Sequence, residues 1–167
     1  MIQSVMYKPI GVIHTQFKQQ VNTPIQGVFA PESKGEVEVF PQYADGLDDI
    51  TGFSHLILIY HFHLVKGYTL KTRPFLGNGS KGIFAIRYFK RPNNIGLSVV
   101  RLYAARRNIL EIGEVDIVDE TPLLDIKPYV PEFDHRLNVR TGWYDQASNR
   151  SQYAKNKGVP QCLEDFK

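Results

Sequence analysis

The sequence predicts a mainly β fold organised as one domain, and three observations support this. Its 167 residues suit a single domain. Short runs rich in β-branched and aromatic residues recur along the chain, and such runs are typical of strands. Ten prolines and thirteen glycines separate them. Many short strands at close spacing favour a barrel or a sandwich over a sheet with helical crossovers.

Seven segments are predicted to be strands, in chain order 9–14, 35–40, 55–65, 82–89, 95–102, 109–112 and 114–118. Segment 35–40 alternates cleanly, with Val37 and Val39 on one face and Glu36 and Glu38 on the other. Segment 55–65 is apolar on both faces and is therefore expected to be a central strand. Residues 41–50 are predicted to hold one short helical turn, and 106–108 a hairpin turn with Asn108 in the left-handed conformation.

The remaining segments define the domain and exclude some classes of site. Residues 77–82 match G-x-G-x-x-G, but a strand-like run follows instead of a helix, so a loop is predicted rather than a dinucleotide site.

The domain is expected to cover 1–141. Residues 142–167 form a polar tail, which is either an arm packing on a partner subunit or a loose end. His55, His61 and His63 lie close in sequence, but no further ligand converges on them, so no metal is predicted.

The compartment is also constrained by composition. No apolar run approaches the roughly 18–20 residues of a membrane span, so no membrane association is expected. The N-terminus shows no signal-peptide pattern. Cys162 is the single cysteine, which excludes an intramolecular disulfide and a multi-cysteine zinc site. We therefore expect a cytoplasmic protein.

Charge is distributed unevenly. Residues 50–110 contain no acid, while ten Lys and Arg side chains fall between 66 and 107. This asymmetry favours a basic surface for an anionic partner. The alternative is that folding brings the acidic flanks beside the basic middle and cancels the field.

Two segments are dense in residues that carry chemistry. In 81–98, Arg87 and Arg91 flank a turn rich in Pro, Asn and Gly, which is typical of a site for a carboxylate, phosphate or nucleotide. In 116–129, Asp116, Asp119, Asp125 and Lys127 recur at spacings that can bring their polar groups to one sheet edge. Such acids bind ribose hydroxyls or act as a base, unless they form only a solvated edge or a salt bridge.

Both segments resemble hallmarks of the TrmO/YaeB-type (TsaA-like) methyltransferases. The first hallmark, G-x-F-x-T-R-S-x-x-R-P-N-P-I-G-L-S, corresponds to 82–98, and the second, D-x-x-D-G-T-P-x-L-D-I-K-P-Y, to 116–129. Shorter matches at 10–13, 23–27, 43–47 and 53–56 occur in the same order. The resemblance spans roughly residues 7–134.

The resemblance implies a β-barrel-like, non-Rossmann fold that binds S-adenosylmethionine (SAM) and works as a homodimer. It implies methylation of the exocyclic nitrogen of threonylcarbamoyladenosine beside the tRNA anticodon, with tRNA contacting the basic 66–107 region. The SAM-binding residues it implies are Phe84, Arg87, Arg91, Asn93, Ile95, Gly96 and Leu97, with Gln26, Asp125, Lys127 and Tyr129 beside them. Asp116, Asp119 and His61 are the candidate catalytic bases.

Four positions depart from the family pattern: Ile86, Tyr88, Asn94 and Glu120. The first two replace hydroxyl-bearing residues and change the polarity and bulk of the expected pocket. Two alternatives therefore stay open. One is a SAM-dependent methyltransferase of a small molecule, and the other is a non-catalytic regulator that binds SAM or a nucleotide.

Overall fold

The computed structural model describes residues 4–147. Its strands, in chain order, are β1 (Gly11–Thr15), β2 (Lys34–Val39), β3 (His55–His61), β4 (Lys71–Thr72), β5 (Lys81–Gly82), β6 (Ile95–Arg106), β7 (Ile109–Gly113) and β8 (Thr121–Pro128). Six of them close into an antiparallel barrel in the order β1-β2-β7-β6-β3-β8, and β4 and β5 form a separate two-stranded sheet. The mainly β, barrel-like fold class is thus confirmed.

Helical structure is brief. One α-helix, α1, covers Pro131–Asp134, and short 3-10 turns lie at Gly27–Phe29, Pro41–Leu47, Ile50–Gly52, Ile83–Ala85 and Gly142–Gln146. The turn at Pro41–Leu47 confirms the predicted helical turn. Across 4–147, the helices are too short or too polar for any of them to cross a membrane.

The barrel interior is filled by alternate residues of each strand. On β3, Leu56, Leu58 and Tyr60 point inward and are buried, whereas Ile57 and Ile59 are only partly covered. Strand β3 pairs on both edges, with β6 and with β8, as expected of a central strand, but its outer face is not buried. In a closed barrel the two faces of a strand differ, because one packs in the core and the other forms the outer surface.

Two strand predictions are wrong, and two strands, β4 and β8, were not predicted. Within 82–89 only Gly82 belongs to a strand, because Ile86 and Tyr88 turn aside to pack in a second apolar cluster. Residues 114–118 leave the sheet at Glu114, which has φ 58°, while Val115 and Ile117 remain buried. Strand β8 was not predicted, because its two prolines obscure the pattern.

The predicted hairpin turn between β6 and β7 is confirmed, with one difference. Arg107, and not Asn108, has the positive φ, at 57°. Asn108 instead donates its side-chain amide to the Val39 carbonyl at 2.8 Å. This hydrogen bond links the turn to β2, and it depends on the position of Asn108 in the turn.

The long connection from β3 to β6 carries the small sheet β4–β5 and the second cluster. We call this the aromatic cluster; its members are Ile83, Ile86 and Tyr88, with Phe75, Phe89 and Trp143 packed against them. Because the connection returns to the barrel at Ile95, it places the aromatic cluster beside the first residues of β6. A cavity lies between the two.

Candidate active site

The cavity measures about 960 Å³. Its walls come from residues 20–29, from the end of β3, from the β3–β6 connection, from the start of β6, from residues 116–121 and from residues 141–144. This volume is typical of sites that enclose a cofactor-sized ligand. It also joins segments that are far apart in the sequence, so the barrel and its long connection build the site together.

Asp116 supplies a carboxylate to this cavity. Its Oδ1 accepts a hydrogen bond from Ser98 Oγ at 2.5 Å, and its Oδ2 accepts one from the Gly27 amide at 3.1 Å. Burial raises the pKa of Asp116 to about 6, although these bonds and the nearby Arg87 charge oppose the rise. A carboxyl group with this pKa can exchange a proton near neutral pH.

A buried polar chain runs from Asp116 into the barrel. Because the Ser98 hydroxyl donates to Asp116, it accepts from the Tyr60 hydroxyl, which lies 3.0 Å away. Burial raises the pKa of Tyr60 strongly, so this phenol stays protonated and remains a donor. The Tyr60 ring fits only because position 96 is glycine: a Cβ there would lie 2.2 Å from it.

Residues 26 and 27 meet the opposite side of Asp116. Gly27 lies so close to the chain after β7 that a Cβ would be 1.8 Å from the Glu114 carbonyl oxygen. This approach lets the Gly27 amide reach Asp116. The Gln26 Oε1 accepts from an Arg87 guanidinium nitrogen at 2.9 Å, which draws that arginine to the cavity.

Two arginines of the first motif have different environments. Arg87 is exposed, lines the cavity and keeps donors available for an anion. Arg91 donates to the carbonyls of Ile83 and Ile86 at 3.0 and 2.8 Å, and its guanidinium lies 5.8 Å from the centre of the Phe84 ring. We interpret Arg91 mainly as the residue that holds the loop and Arg87 as the one that receives a ligand.

Aromatic rings form the other wall. Tyr88 and Phe89 stack at 4.2 Å between centroids, and Phe75 lies 5.4 Å from Tyr88. Phe84 also lines the cavity and is 77% exposed. The site therefore has a polar end at Asp116 and Arg87 and an apolar, aromatic end.

The structure gathers most of the SAM-binding residues that the sequence predicted. Seven of them line the cavity: Gln26, Phe84, Arg87, Arg91, Ile95, Gly96 and Leu97. Asn93, Asp125, Lys127 and Tyr129 do not line it. Lys127 pairs with Asp125 at 2.8 Å on the exposed part of β8, and Tyr129 packs against His55.

Of the three candidate bases, only Asp116 lines the cavity. Asp119 accepts from Lys18 and from the Thr15 amide; although its surroundings are partly desolvating, these bonds lower its pKa. His61 is the exposed last residue of β3. These two residues face other parts of the surface, because the chain turns between Asp116 and Asp119 and because β3 ends at His61.

Several cavity residues were not identified from the sequence. They are Tyr60, His63, Phe75, Thr121 and Trp143. Ser98, which does not line the cavity but donates to Asp116, was not identified either. A signal existed for Ser98, which ends the first motif and alternates with Gly96 on one face of β6. None existed for Trp143, because no pattern links its segment to the barrel. His63 lies beyond β3, and burial together with the nearby His61 lowers its pKa.

The basic stretch is divided by the fold. Arg101 pairs with Glu114 at 3.0 Å and Arg106 with Glu111 at 3.3 Å, so flanking acids pair with two of the three arginines in its distal part. Lys66 and Lys71 are exposed on the connection that also carries the cavity wall. The part of the basic stretch at residues 66–91 therefore flanks the cavity, whereas 101–107 lies toward the far end of β6.

Sequence comparison gives one family and a set of relatives. Residues 12–135 match the model described as the tRNA-methyltransferase O N-terminal domain. A "Probable S-adenosyl-L-methionine-binding protein" of Pyrococcus abyssi is 51% identical over 154 residues, covering 92% of this chain and 84% of the relative. The "tRNA (adenine(37)-N6)-methyltransferase" of Escherichia coli is 34% identical, covering 92% and 69%.

Structural comparison agrees with the sequence comparison. The crystal structure of TrmO from Pseudomonas aeruginosa superposes with a TM-score of 0.71 at 34% identity, covering 84% of this chain. The match covers 62% of the Pseudomonas chain, so this chain spans less than two thirds of that protein.

Proposed function

Because the chain belongs to the tRNA-methyltransferase O N-terminal domain family, we propose that it transfers a methyl group from SAM to the exocyclic nitrogen of threonylcarbamoyladenosine beside the tRNA anticodon. One observation carries this proposal: the cavity places the Asp116 carboxylate, whose pKa burial raises to about 6, beside an exposed arginine and an aromatic wall. The names of the relatives supply the reaction class.

The residues present fit SAM. Arg87 offers guanidinium donors for its carboxylate, which arginine binds well in a bidentate manner. Phe84 and the aromatic cluster offer flat apolar surface for its adenine. The volume of about 960 Å³ leaves room for an acceptor group as well. SAM supplies an electrophilic methyl carbon and leaves as the thioether S-adenosylhomocysteine.

The protein's part of the reaction is positioning and proton removal. The new N–C bond forms as the S–C bond breaks, and the acceptor nitrogen must lose a proton. In-line transfer needs the reacting atoms about 3–3.5 Å apart, which cavity walls on both sides can enforce. Asp116 is the proposed base because its carboxylate lines the cavity and its pKa, about 6, leaves it ionised at neutral pH.

The acceptor is proposed to approach from the basic side. Lys66, Lys71 and Arg73 are exposed on the connection that carries the cavity wall, where they can contact phosphates of tRNA. This acceptor supports a cytoplasmic location for the reaction.

The proposed domain, 1–141, contains the whole family match. Residues 142–147 pack on the cavity, and the rest of the tail lies outside the described residues.

A homodimer is proposed through the outer face of β6 and β3. Ile95, Leu97 and Val99 point outward and are 39–51% exposed, and Ile57 and Ile59 pair beside them. A continuous apolar strip of this kind is typical of an interface. Ile95 and Leu97 also line the cavity, so a second copy seated here would complete its rim.

Val99→Glu tests the dimer. A charge in the middle of a buried apolar interface is strongly unfavourable, so the variant is expected to run as a monomer in light scattering while the wild type runs as a dimer. Leu70→Glu, at a 59% exposed residue away from the strip, is the matched control and should leave the mass unchanged. A wild-type monomer at micromolar concentration would contradict the proposal.

The function is tested with methyl-labelled SAM and tRNA carrying threonylcarbamoyladenosine, followed by digestion and identification of the labelled nucleoside. Label in that nucleoside alone is expected. Binding of SAM without any labelled product, while a control enzyme is active, would contradict the acceptor and favour one of the two other roles.

A small-molecule acceptor is the second candidate, and one observation favours it. Ile86 and Tyr88, which replace hydroxyl-bearing residues of the family pattern, both line the cavity. They make this wall more apolar and bulkier than the pattern implies. Transfer of label to a small acceptor, with none to tRNA, would support this candidate.

A further inference from the structure

The chain returns to the cavity after the barrel is complete. Beyond α1, Gly142–Gln146 forms a 3-10 turn, and Thr141, Trp143 and Tyr144 line the cavity. All three lie past residue 135, where the match to the family model ends. Part of the cavity wall is therefore supplied by a segment outside the matched domain.

Three contacts hold the Trp143 indole in place. Its Nε1 donates to the Ala85 carbonyl at 2.7 Å, and the ring packs against the aromatic cluster. Gly77 lies directly beneath it, since a Cβ on Gly77 would be 2.9 Å from Trp143 Cζ3. The indole is thus fixed in orientation before any ligand arrives, and its ordering costs no further entropy on binding.

The surroundings of Trp143 define the ligand group that suits it. Phe84 and Tyr88 line the same cavity, whereas Arg87 and Asp116 occupy the polar end. Fixed aromatic side chains bind flat conjugated rings by stacking. A purine combines such a ring with the ribose and charged groups that the polar end can receive.

We propose that Trp143 is a stacking wall of a purine subsite, so that segment 141–144 is a working part of the site. This inference rests on the proposed function, in which SAM and the acceptor nucleoside both carry adenine. The shared chemistry is the purine ring, and the experiment below separates its two sources.

The test uses the fact that the full chain has a single tryptophan. When the complete protein is excited at the long-wavelength edge of its absorption, where tryptophan absorbs and tyrosine does not, the fluorescence therefore comes from Trp143 alone. S-adenosylhomocysteine is titrated first, and an anticodon stem-loop RNA carrying threonylcarbamoyladenosine is then added to the saturated protein. Calorimetry of the same solutions measures both affinities independently.

A glycine pair tests the wall without removing the indole. In Gly77→Ala the new methyl group pushes against Trp143, whereas in Gly82→Ala the methyl group meets nothing within 4 Å, on a backbone with φ −64° that alanine adopts readily. Gly77→Ala is expected to weaken binding of the stacked ligand roughly tenfold, within the range of one base–aromatic stack. Gly82→Ala should bind like the wild type, and Trp143→Ala should lose at least as much affinity as Gly77→Ala.

Each outcome has a separate meaning. A fluorescence change with S-adenosylhomocysteine, and weaker binding by Gly77→Ala, supports a cofactor purine on Trp143. The same pair of results only on RNA addition supports the acceptor purine. Calorimetric binding of both with unchanged fluorescence, and equal affinities of the two glycine variants, overturns the inference but leaves the proposed function intact. Binding of neither ligand overturns the proposed function and the inference with it.

Discussion

At the scale of single residues, the site depends on Asp116. Two hydrogen bonds, from Ser98 and from the Gly27 amide, hold its carboxylate in position, while burial raises its pKa to about 6. The sequence nominated Asp116 together with Asp119 and His61 and had no means to choose among them. What separates Asp116 from Asp119 is the turn after Val118, which directs the Asp119 side chain toward Lys18 and away from the cavity. Such a turn depends on tertiary contacts that a local pattern does not contain.

If Asp116 is the base, methyl transfer should depend on its ionisation. The single-turnover rate is expected to rise with pH through about 6 and then level off, because the carboxylate must be deprotonated to accept a proton. Asp116→Asn should lower the plateau rate by about a hundredfold or more. Asp119→Asn is the comparison and should change the rate little, and equal losses in both variants would contradict the assignment.

The same burial should reduce stability. A carboxyl group whose folded pKa exceeds its unfolded value binds more protons when folded, so stability falls as pH rises between about 4 and 6. The free energy of unfolding of the wild type, relative to that of Asp116→Asn in urea denaturation, is therefore expected to fall by about 1–2 kcal/mol between pH 4 and pH 7. Comparing the two pH profiles cancels the pH-independent effect of the amide on the hydrogen bonds from Ser98 and Gly27. Asp119, whose pKa is lowered, should show the opposite sign: Asp119→Asn loses stability at pH 7. A stability difference between the wild type and Asp116→Asn that does not change with pH would contradict the linkage for Asp116.

At the scale of elements, alternation in the sequence predicted the barrel strands well and the cavity wall poorly. Strands β2, β6 and β7 were predicted because their inner residues recur at every second position. Segment 82–89 has a similar composition but folds away from the barrel, because Ile86 and Tyr88 pack in the aromatic cluster. Strand β8 was missed because Pro122 and Pro128 interrupt the pattern of a strand, although β8 pairs with both β1 and β3. Composition indicates what is buried, but not against which partner.

β6 offers a direct test of how the barrel accommodates the site. Gly96→Ala would place a methyl group 2.2 Å from the Tyr60 ring, and a buried ring next to Ser98 cannot move aside freely. The expected loss is about 1–3 kcal/mol in urea denaturation, typical of an overpacked core. Gly46→Ala, with nothing within 4 Å, is the control and should be nearly neutral. A loss of the same size in both variants would show that glycine itself, and not the Tyr60 contact, determines stability.

At the scale of the whole molecule, the fold partly confirms and partly cancels the charge asymmetry. Acids of β7 and the segment after it pair with Arg101 and Arg106, which removes the distal end of the basic stretch from the expected surface. The exposed lysines at 66 and 71 remain near the cavity. Sequence composition predicted the presence of a basic surface, whereas its extent follows from the strand pairing.

This division predicts which cations bind tRNA. The double variant Lys66→Gln/Lys71→Gln should weaken tRNA binding and lower the slope of log affinity against log salt by about 1–2, roughly one counterion per lost phosphate contact. Arg106→Gln, which removes a cation already paired with Glu111, should leave that slope unchanged. Filter binding over a salt series measures both, and a wild-type affinity independent of salt would contradict phosphate contacts altogether.

The closure of the barrel by β8 has a consequence for synthesis of the protein. The bond from the Gly27 amide joins residues 89 positions apart, and the Gln26–Arg87 bond joins residues 61 apart. Only when β8 pairs with both β1 and β3 does the ring of strands become complete. A growing chain on the ribosome therefore has no complete pocket until residue 144 has left the exit tunnel, because Thr141, Trp143 and Tyr144 also line the cavity. The newly made protein should gain its ligand-binding capacity in one late event after translation of the barrel, and not gradually as the strands emerge.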